Sequence, residues 1–165
     1  MRALPSWFPF ERLQWAFPIA VTLHNLEEAI WLPSRAAQRN VHLPWRVAAA
    51  QFRIALIILT FAAYLVTWLS VRFVRQRGWM YLFVAYAFAM FLNVWAPDVP
   101  ASILFRGYTP GVVSAVFLNF PVTGTLLITV FRERVIPSRA IAVFVFGFPL
   151  GIAIFFAVLF ADTIR

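Results

Sequence analysis

The chain has 165 residues, of which 63% are hydrophobic and only 12% are charged, and its mean hydropathy is +0.84. Soluble domains contain about 45–50% apolar and about 25% charged residues, so this composition excludes an ordinary soluble domain and indicates a membrane protein. The net charge is +8, every basic residue is Arg, and there is no Cys. Disulfides and thiolate metal ligands are therefore excluded. Because the arginines lie between apolar stretches, we expect them to meet lipid headgroups and expect no nucleic-acid partner.

Five apolar segments approach the length of a membrane-spanning helix, which needs about 20 mostly apolar residues. These predicted spans cover approximately residues 13–32, 54–71, 79–95, 112–131 and 140–160. The sequence therefore predicts an all-α, polytopic membrane helical bundle of about five transmembrane helices, forming one domain over residues 1–165. The first span is expected to stop at Pro33, because proline interrupts helical hydrogen bonding. More arginines fall on the side of the N-terminus than on the other side, which predicts a cytoplasmic N-terminus.

The connection before the fourth span contains Pro97-Asp98-Val99-Pro100, then a short apolar run, then Pro110-Gly111. The apolar run is too short to cross a bilayer. We therefore predict a broken or re-entrant connection over residues 97–110. Irregular backbone at membrane depth must be packed against protein or line a water-filled cavity, so we expect this piece inside the bundle.

The first span carries His24, Glu27 and Glu28. On a helix these positions are i, i+3 and i+4, so the three side chains share one face. An ionisable side chain at membrane depth costs about 2.5–3.5 kcal/mol on insertion scales, and such residues are functional-site candidates by default. The plainer alternative is that Glu28, close to the end of the span, is solvated among the headgroups. We interpret the three residues as a catalytic or metal-binding site.

Other polar residues lie in the later segments. Asn93 and Asn119 are candidates for substrate binding, with helix packing as an equal alternative. Arg106 is a candidate to bind an anionic or carbonyl headgroup of the substrate, and Tyr108 is a candidate catalytic residue. The threonines of the spans are expected to bond back to their own helices.

One pair of motifs resembles a known family. The motifs are His24-x-x-Glu27-Glu28 and, before the fourth span, Arg106-Gly-Tyr108-Thr-Pro110-Gly111-Val-Val-Ser-Ala. Together they resemble the HXXEE-domain integral membrane proteins, which are bacterial and of uncharacterised function. In that family a His often stands shortly before the Tyr-x-Pro-Gly element, and here Asp98 occupies that position. The resemblance implies an enzyme in a bacterial inner membrane and supplies no substrate.

Two chemistries fit these residues. His24, Glu27 and Glu28, with Asp98 as a further ligand, can bind one divalent metal ion such as Zn, Fe or Mn. No second His stands four residues after His24, so the zinc-protease motif does not apply. Without a metal, His24 and one glutamate can act as an acid–base pair while the other glutamate moves a proton. A serine hydrolase using Ser114 or Ser102 is disfavoured because no G-x-S-x-G pattern is present.

We therefore interpret the chain as a metal-dependent or acid–base enzyme acting on a lipophilic substrate. Two alternatives stay open: a small transporter or proton-relay protein, and a non-catalytic accessory subunit of a membrane complex. The expected partners are the lipid bilayer and a lipophilic small molecule. The Gly147-x-x-x-Gly151 pattern also leaves a homo-oligomer open, since it is typical of close helix packing.

Overall fold

A computed structural model describes residues 10–38, 49–137 and 140. The described residues are largely helical, and none of them forms a strand. The α-helices and two π-helical segments follow in this order: α1 Phe10–Gln38, α2 Ala49–Arg72, α3 Arg77–Asn93, the first π-segment Val94–Asp98, α4 Val99–Leu104, α5 Val112–Ser114, the second π-segment Ala115–Asn119, and α6 Phe120–Arg132.

Three described stretches are long and apolar enough to cross a membrane, namely Phe52–Arg72, Arg77–Leu104 and Val112–Arg132. They contain the predicted second, third and fourth spans, so an all-helical fold with membrane-length helices is confirmed. The count of five spans stays a prediction. The predicted fifth span, 140–160, lies outside the described residues apart from Ala140.

The chain divides into two compact units, Met1–Thr129 and Val130–Arg165. The first unit holds every candidate site residue. In the second unit, α6 ends at Arg132 and a turn follows, in which the N–H of Val135 donates to the carbonyl of Val130 at 3.1 Å. The expectation of a single domain is not tested by this division, because most of the second unit lies outside the described residues.

The sequence predicted that the first helix stops at Pro33. In the structure, α1 continues through Pro33 to Gln38. A proline inside a helix has no N–H to donate to the carbonyl four residues earlier, which here belongs to Ala29. Arg53 of α2 supplies a donor instead, since its Nε lies 3.1 Å from the oxygen of Ala29. This bond between helices satisfies the carbonyl that Pro33 leaves without its helical partner.

The predicted broken connection over 97–110 is a kinked helix followed by a turn. Ala96 has extended backbone angles, φ −158° and ψ 103°, as is usual for a residue before proline. Helix α4 begins three residues later at Val99, with Pro100 in its first turn, where no intrahelical donor is needed. The break is thus present at Ala96, but residues 99–104 are helical, and a re-entrant position stays a prediction.

Contacts between helices fix how α1 is rotated. Phe17 is fully buried and packs edge-to-face on Phe83 and Tyr86 of α3, with ring centroids 5.5 and 5.4 Å away. On another side, the Asn25 amide donates to Thr60 Oγ1 of α2 at 2.8 Å. Phe17 is seven residues before His24 and lies on the same face of α1, so the HXXEE residues further along this face meet the chain around α5.

Two threonines of the spans form the predicted hydrogen bonds to their own helices. The hydroxyls of Thr67 and Thr123 donate to the carbonyls of Ala63 and Asn119, four residues earlier in each case. This prediction is confirmed for both side chains. Their bonds belong to their own helices and do not contribute to the site.

Candidate functional site

His24 lies at the centre of a buried polar cluster. Its side chain is 1% exposed, and each ring nitrogen has a polar neighbour from a different part of the chain. Nδ1 lies 3.2 Å from Ser114 Oγ, at the end of α5, and Nε2 lies 3.2 Å from Asn93 Nδ2, at the end of α3. The imidazole is therefore held from both sides by residues remote in sequence.

These neighbours assign the imidazole tautomer. The Nδ2 group of Asn93 can only donate, so Nε2 of His24 accepts and its proton resides on Nδ1. Nδ1 then donates to Ser114 Oγ, and that hydroxyl in turn donates to Glu27 Oε2. The result is one chain of hydrogen bonds, all running in the same direction from Asn93 through His24 and Ser114 to Glu27.

Three ligand-type atoms meet beside His24. Nε2 of His24 lies 3.9 Å from Glu28 Oε1 and 3.8 Å from Asp98 Oδ2, and ligand atoms of all three residues lie within 4.8 Å of one another. Two atoms that bind the same ion at about 2.0–2.2 Å are at most about 4.4 Å apart, so both distances from His24 fit a single ion. One imidazole and two carboxylates form a donor set that suits Zn, Fe or Mn.

The kink after α3 brings Asp98 into this cluster. The carboxyl is 4% exposed, and its Oδ2 accepts a hydrogen bond from Asn93 Nδ2 at 3.0 Å. Asn93 and Asp98 are five residues apart, and the extended backbone of Ala96 between them turns the chain so that Asp98 lies beside Asn93. Asn93 therefore orients both the carboxylate of Asp98 and the ring of His24.

Glu27 does not belong to the metal-type group, which consists of His24, Glu28 and Asp98. Its Oε1 accepts from the Tyr108 hydroxyl at 2.8 Å, and its Oε2 accepts from the backbone N–H of Ser114 at 2.9 Å as well as from the Ser114 hydroxyl. Glu27 was predicted as a metal ligand together with Glu28. The structure divides the two neighbours, because Glu28 joins His24 and Asp98 while Glu27 is engaged by the chain at 108–114.

The turn before α5 closes over the cluster. Gly111 has φ +96°, and a Cβ at this position would lie 3.2 Å from both Glu28 Oε1 and His24 Cε1. The backbone of the turn thus lies directly on the site. The Tyr108–Gly111 stretch consequently has two roles, since it starts the next helix and also covers His24 and Glu28.

The remaining predicted residues differ in their placement. Asn93 belongs to the site. Arg106 is exposed, with φ 49°, and makes no hydrogen bond or ion pair to the cluster within the described part of the chain. Asn119 is fully buried, and both polar atoms of its amide lack a hydrogen-bond partner among the described residues. Substrate binding by Arg106 and by Asn119 stays a prediction.

The role of Ser114 as the link between His24 and Glu27 was not predicted from the sequence. This serine was considered only as a hydrolase nucleophile. The available signal was its position three residues after Gly111, inside the motif that carries the family resemblance. What could not be seen was that the turn folds back onto α1.

The fold and this cluster define a class: helical proteins with membrane-length helices and a buried histidine–carboxylate site built on an H-x-x-E-E turn. The chain belongs to the family described as "Protein of unknown function with HXXEE motif", whose model matches residues 15–126 and so includes every candidate site residue. The predicted resemblance is therefore confirmed.

One relative is the "Uncharacterized protein YrkK" of Bacillus subtilis (strain 168). It is 30% identical over 120 residues, which cover 73% of this chain and 75% of the relative. No solved structure matches the chain significantly. The family and the relative carry no described activity, so the function must be argued from the site.

Proposed function

We propose that this chain is a membrane-embedded enzyme in which His24, Glu28 and Asp98 hold one divalent metal ion and act on a lipophilic substrate. The observation that carries the proposal is the meeting of three ligand-type atoms, within 4.8 Å, from two separate helical elements. An imidazole beside two carboxylates away from water is costly without a compensating cation. A divalent ion would offset the repulsion between the two carboxylates.

The residues around the proposed ligands fit a supporting role. A histidine that binds a metal usually donates its other ring nitrogen to a fixed acceptor, which sets the ring orientation. Ser114 is such an acceptor for His24, and Glu27 in turn orients Ser114. Asn93 gives the same support to Asp98. Because Nε2 of His24 has one lone pair, a bound ion would replace the hydrogen bond that this nitrogen accepts from Asn93.

When bound, such an ion supplies Lewis-acid activation of a substrate oxygen or of water. Glu27 is the carboxylate best placed to accept a proton, because it lies beside the ligand group without belonging to it. The Tyr108 hydroxyl holds Glu27 from the exposed side of the site. We assign Glu27 the role of general base and Tyr108 that of a positioning residue.

A lipophilic substrate follows from the surroundings, since the candidate spans present apolar side chains on most of their surface. Arg106, exposed in the turn before Tyr108, is a candidate to bind the polar end of that substrate. We place the protein in a bacterial inner membrane, with the N-terminus on the cytoplasmic side.

The test is the metal content of the detergent-purified protein, measured by elemental mass spectrometry. We expect near-stoichiometric Zn, Fe or Mn in the wild type and its loss in Glu28→Gln and Asp98→Asn. Glu11→Gln is the matched control, because it makes the same change in the exposed first turn of the same helix and should keep the ion. Circular dichroism verifies that each variant is folded. The proposal is wrong if the wild type takes up none of the three metals, or if Glu11→Gln and Glu28→Gln lose metal equally.

A proton-relay protein is the second candidate, and one observation favours it. The hydrogen bonds from His24 through Ser114 to Glu27, with Tyr108 at the exposed end, form the kind of chain that moves protons in membrane proteins. Vesicles that contain the protein and a pH-sensitive dye test this function. Proton flux that Glu27→Gln abolishes, in protein without bound metal, would favour the relay over the metalloenzyme.

A further inference from the structure

A groove between α1 and α2 lies on the side of α1 that faces away from the candidate site. Thr22 and Leu26 line it, and each is two residues from His24. Two residues correspond to about 200° around a helix, so the groove and the HXXEE face occupy opposite sides of α1. The volume of the groove is about 520 Å³, within the range of small-molecule sites.

The walls of the groove are apolar and exposed. Leu26, Ile57 and Phe61 have 52%, 68% and 67% of their surface exposed. The polar groups between them are bonded within the protein, since Asn25 Nδ2 donates to Thr60 Oγ1 at 2.8 Å and to the carbonyl of Leu56 at 3.2 Å. The surface that this groove offers to an occupant is therefore mainly hydrocarbon.

One end of the groove carries a positive charge. Arg53 lines this end, is exposed, and is anchored by the bond from its Nε to the carbonyl of Ala29. A guanidinium has five N–H donors in a fork that matches the oxygens of a phosphate. The anchoring bond uses Nε and so fixes the position of the charge.

The length of the groove matches one leaflet of a bilayer. Arg53 is the second residue of the candidate span Phe52–Arg72, which places it at the level of lipid headgroups. The groove continues along α2 to Tyr64, eleven residues further on. At 1.5 Å per residue this is about 16 Å, which is close to half of the roughly 30 Å hydrocarbon thickness.

We propose that this groove binds one anionic phospholipid of the surrounding bilayer. The phosphate lies on Arg53, and one acyl chain runs along Leu26, Ile57 and Phe61 toward the middle of the membrane. The binding site is separate from the metal-type cluster. It therefore does not depend on the proposed enzymatic function.

The test is native mass spectrometry of the full-length protein, extracted from vesicles of phosphatidylcholine and phosphatidylglycerol. We expect one phosphatidylglycerol to remain bound to the wild type in preference to phosphatidylcholine. Arg53→Gln should reduce that preference about fivefold, the effect of one Arg near an anionic lipid surface. Arg72→Gln, which removes the same charge from the opposite end of α2, should keep it.

A second variant covers the case in which Arg53→Gln unfolds because the bond to Ala29 is lost. Ile57→Trp keeps Arg53 and fills the groove, so it should release the bound lipid while the metal content stays at the wild-type level. Equal loss in Arg53→Gln and Arg72→Gln would show unspecific attraction of charged lipid and overturn the proposal. Retention of phosphatidylglycerol by Ile57→Trp, or equal binding of the two lipids by the wild type, would overturn it as well.

Discussion

Gly111 lies against Glu28 so closely that a side chain at this position would have to push the neighbouring atoms aside. A Cβ on Gly111 would lie 3.1 Å from Glu28 Cγ, a distance tighter than nearly all such contacts, and 3.2 Å from His24 Cε1. The backbone at Gly111 also has φ +96°, a conformation that residues with a Cβ rarely adopt. Two independent constraints thus require glycine, and both act where the turn covers the site.

Gly111→Ala should therefore damage the site more than the fold. Backbone strain of this kind costs about 1–3 kcal/mol, and the added methyl group must displace Glu28 or His24. Because the strained turn lies directly on two of the proposed ligands, His24 and Glu28, we expect metal affinity to fall about tenfold. The measurements are metal content and thermal unfolding. Gly78→Ala is the control, since nothing lies within 4 Å of a Cβ there, and it should keep the metal and the stability. Wild-type metal content in Gly111→Ala would contradict the close approach.

Ser114→Ala tests the link between His24 and Glu27. The hydroxyl accepts from His24 Nδ1 and donates to Glu27, so its removal frees the imidazole to rotate. Loss of such a supporting group typically lowers metal affinity 10–100-fold, which competition with a chelator measures. Ser102→Ala is the control, because Ser102 donates to the carbonyl of Gly107 outside the cluster. If the metal affinity of Ser114→Ala is unchanged, Ser114 does not support His24 as a metal ligand.

The bond from Tyr108 to Glu27 should appear as a coupling energy. The hydroxyl of Tyr108 donates to Glu27 Oε1 at 2.8 Å. Hydrogen bonds to charged groups contribute about 1.5–3 kcal/mol to stability, and we expect a value toward the lower end because Tyr108 is partly exposed. A double-mutant cycle of Tyr108→Phe and Glu27→Ala, followed by unfolding in detergent, isolates this pair. Strictly additive effects would mean that the bond contributes nothing to stability.

Much of the fold follows from the sequence, because apolar length alone decides where helices can cross a bilayer. The second to fourth spans were predictable on this ground. The continuation of α1 through Pro33 was not, since the donor for the Ala29 carbonyl comes from Arg53 on another helix. A local rule about proline cannot include a partner supplied by tertiary structure.

The site was predictable only as a set of residues. Helical spacing places His24, Glu27 and Glu28 on one face, and the family pattern points to Asp98. The different roles of Glu27 and Glu28 were hidden, since the two stand next to each other and either can face a ligand. Which glutamate takes which role depends on where Ser114 and the turn before it contact α1. That contact joins segments far apart in sequence, and no periodicity encodes it.

Substitution of the buried Asn119 by Leu should stabilise the protein, whereas most substitutions of buried residues lower the free energy of unfolding. The side chain is fully buried at the end of the second π-segment, and neither polar atom of its amide has a partner among the described residues. An unsatisfied buried polar group costs about 1–3 kcal/mol. Asn119→Leu keeps the branched shape and removes that cost, so we expect the free energy of unfolding to rise by about this amount.

Asn25→Leu is the matched comparison, because the Asn25 amide is also buried but donates to Leu56 and Thr60 of α2. That substitution breaks satisfied bonds and should lower stability by about 1–3 kcal/mol. Thermal unfolding of both variants in the same detergent gives the two signs side by side. If Asn119→Leu raises stability and Asn25→Leu lowers it, the result agrees with an amide at position 119 that is kept for binding a ligand although it lowers stability. Destabilisation of both variants would show that an internal partner, such as a buried water, already satisfies Asn119.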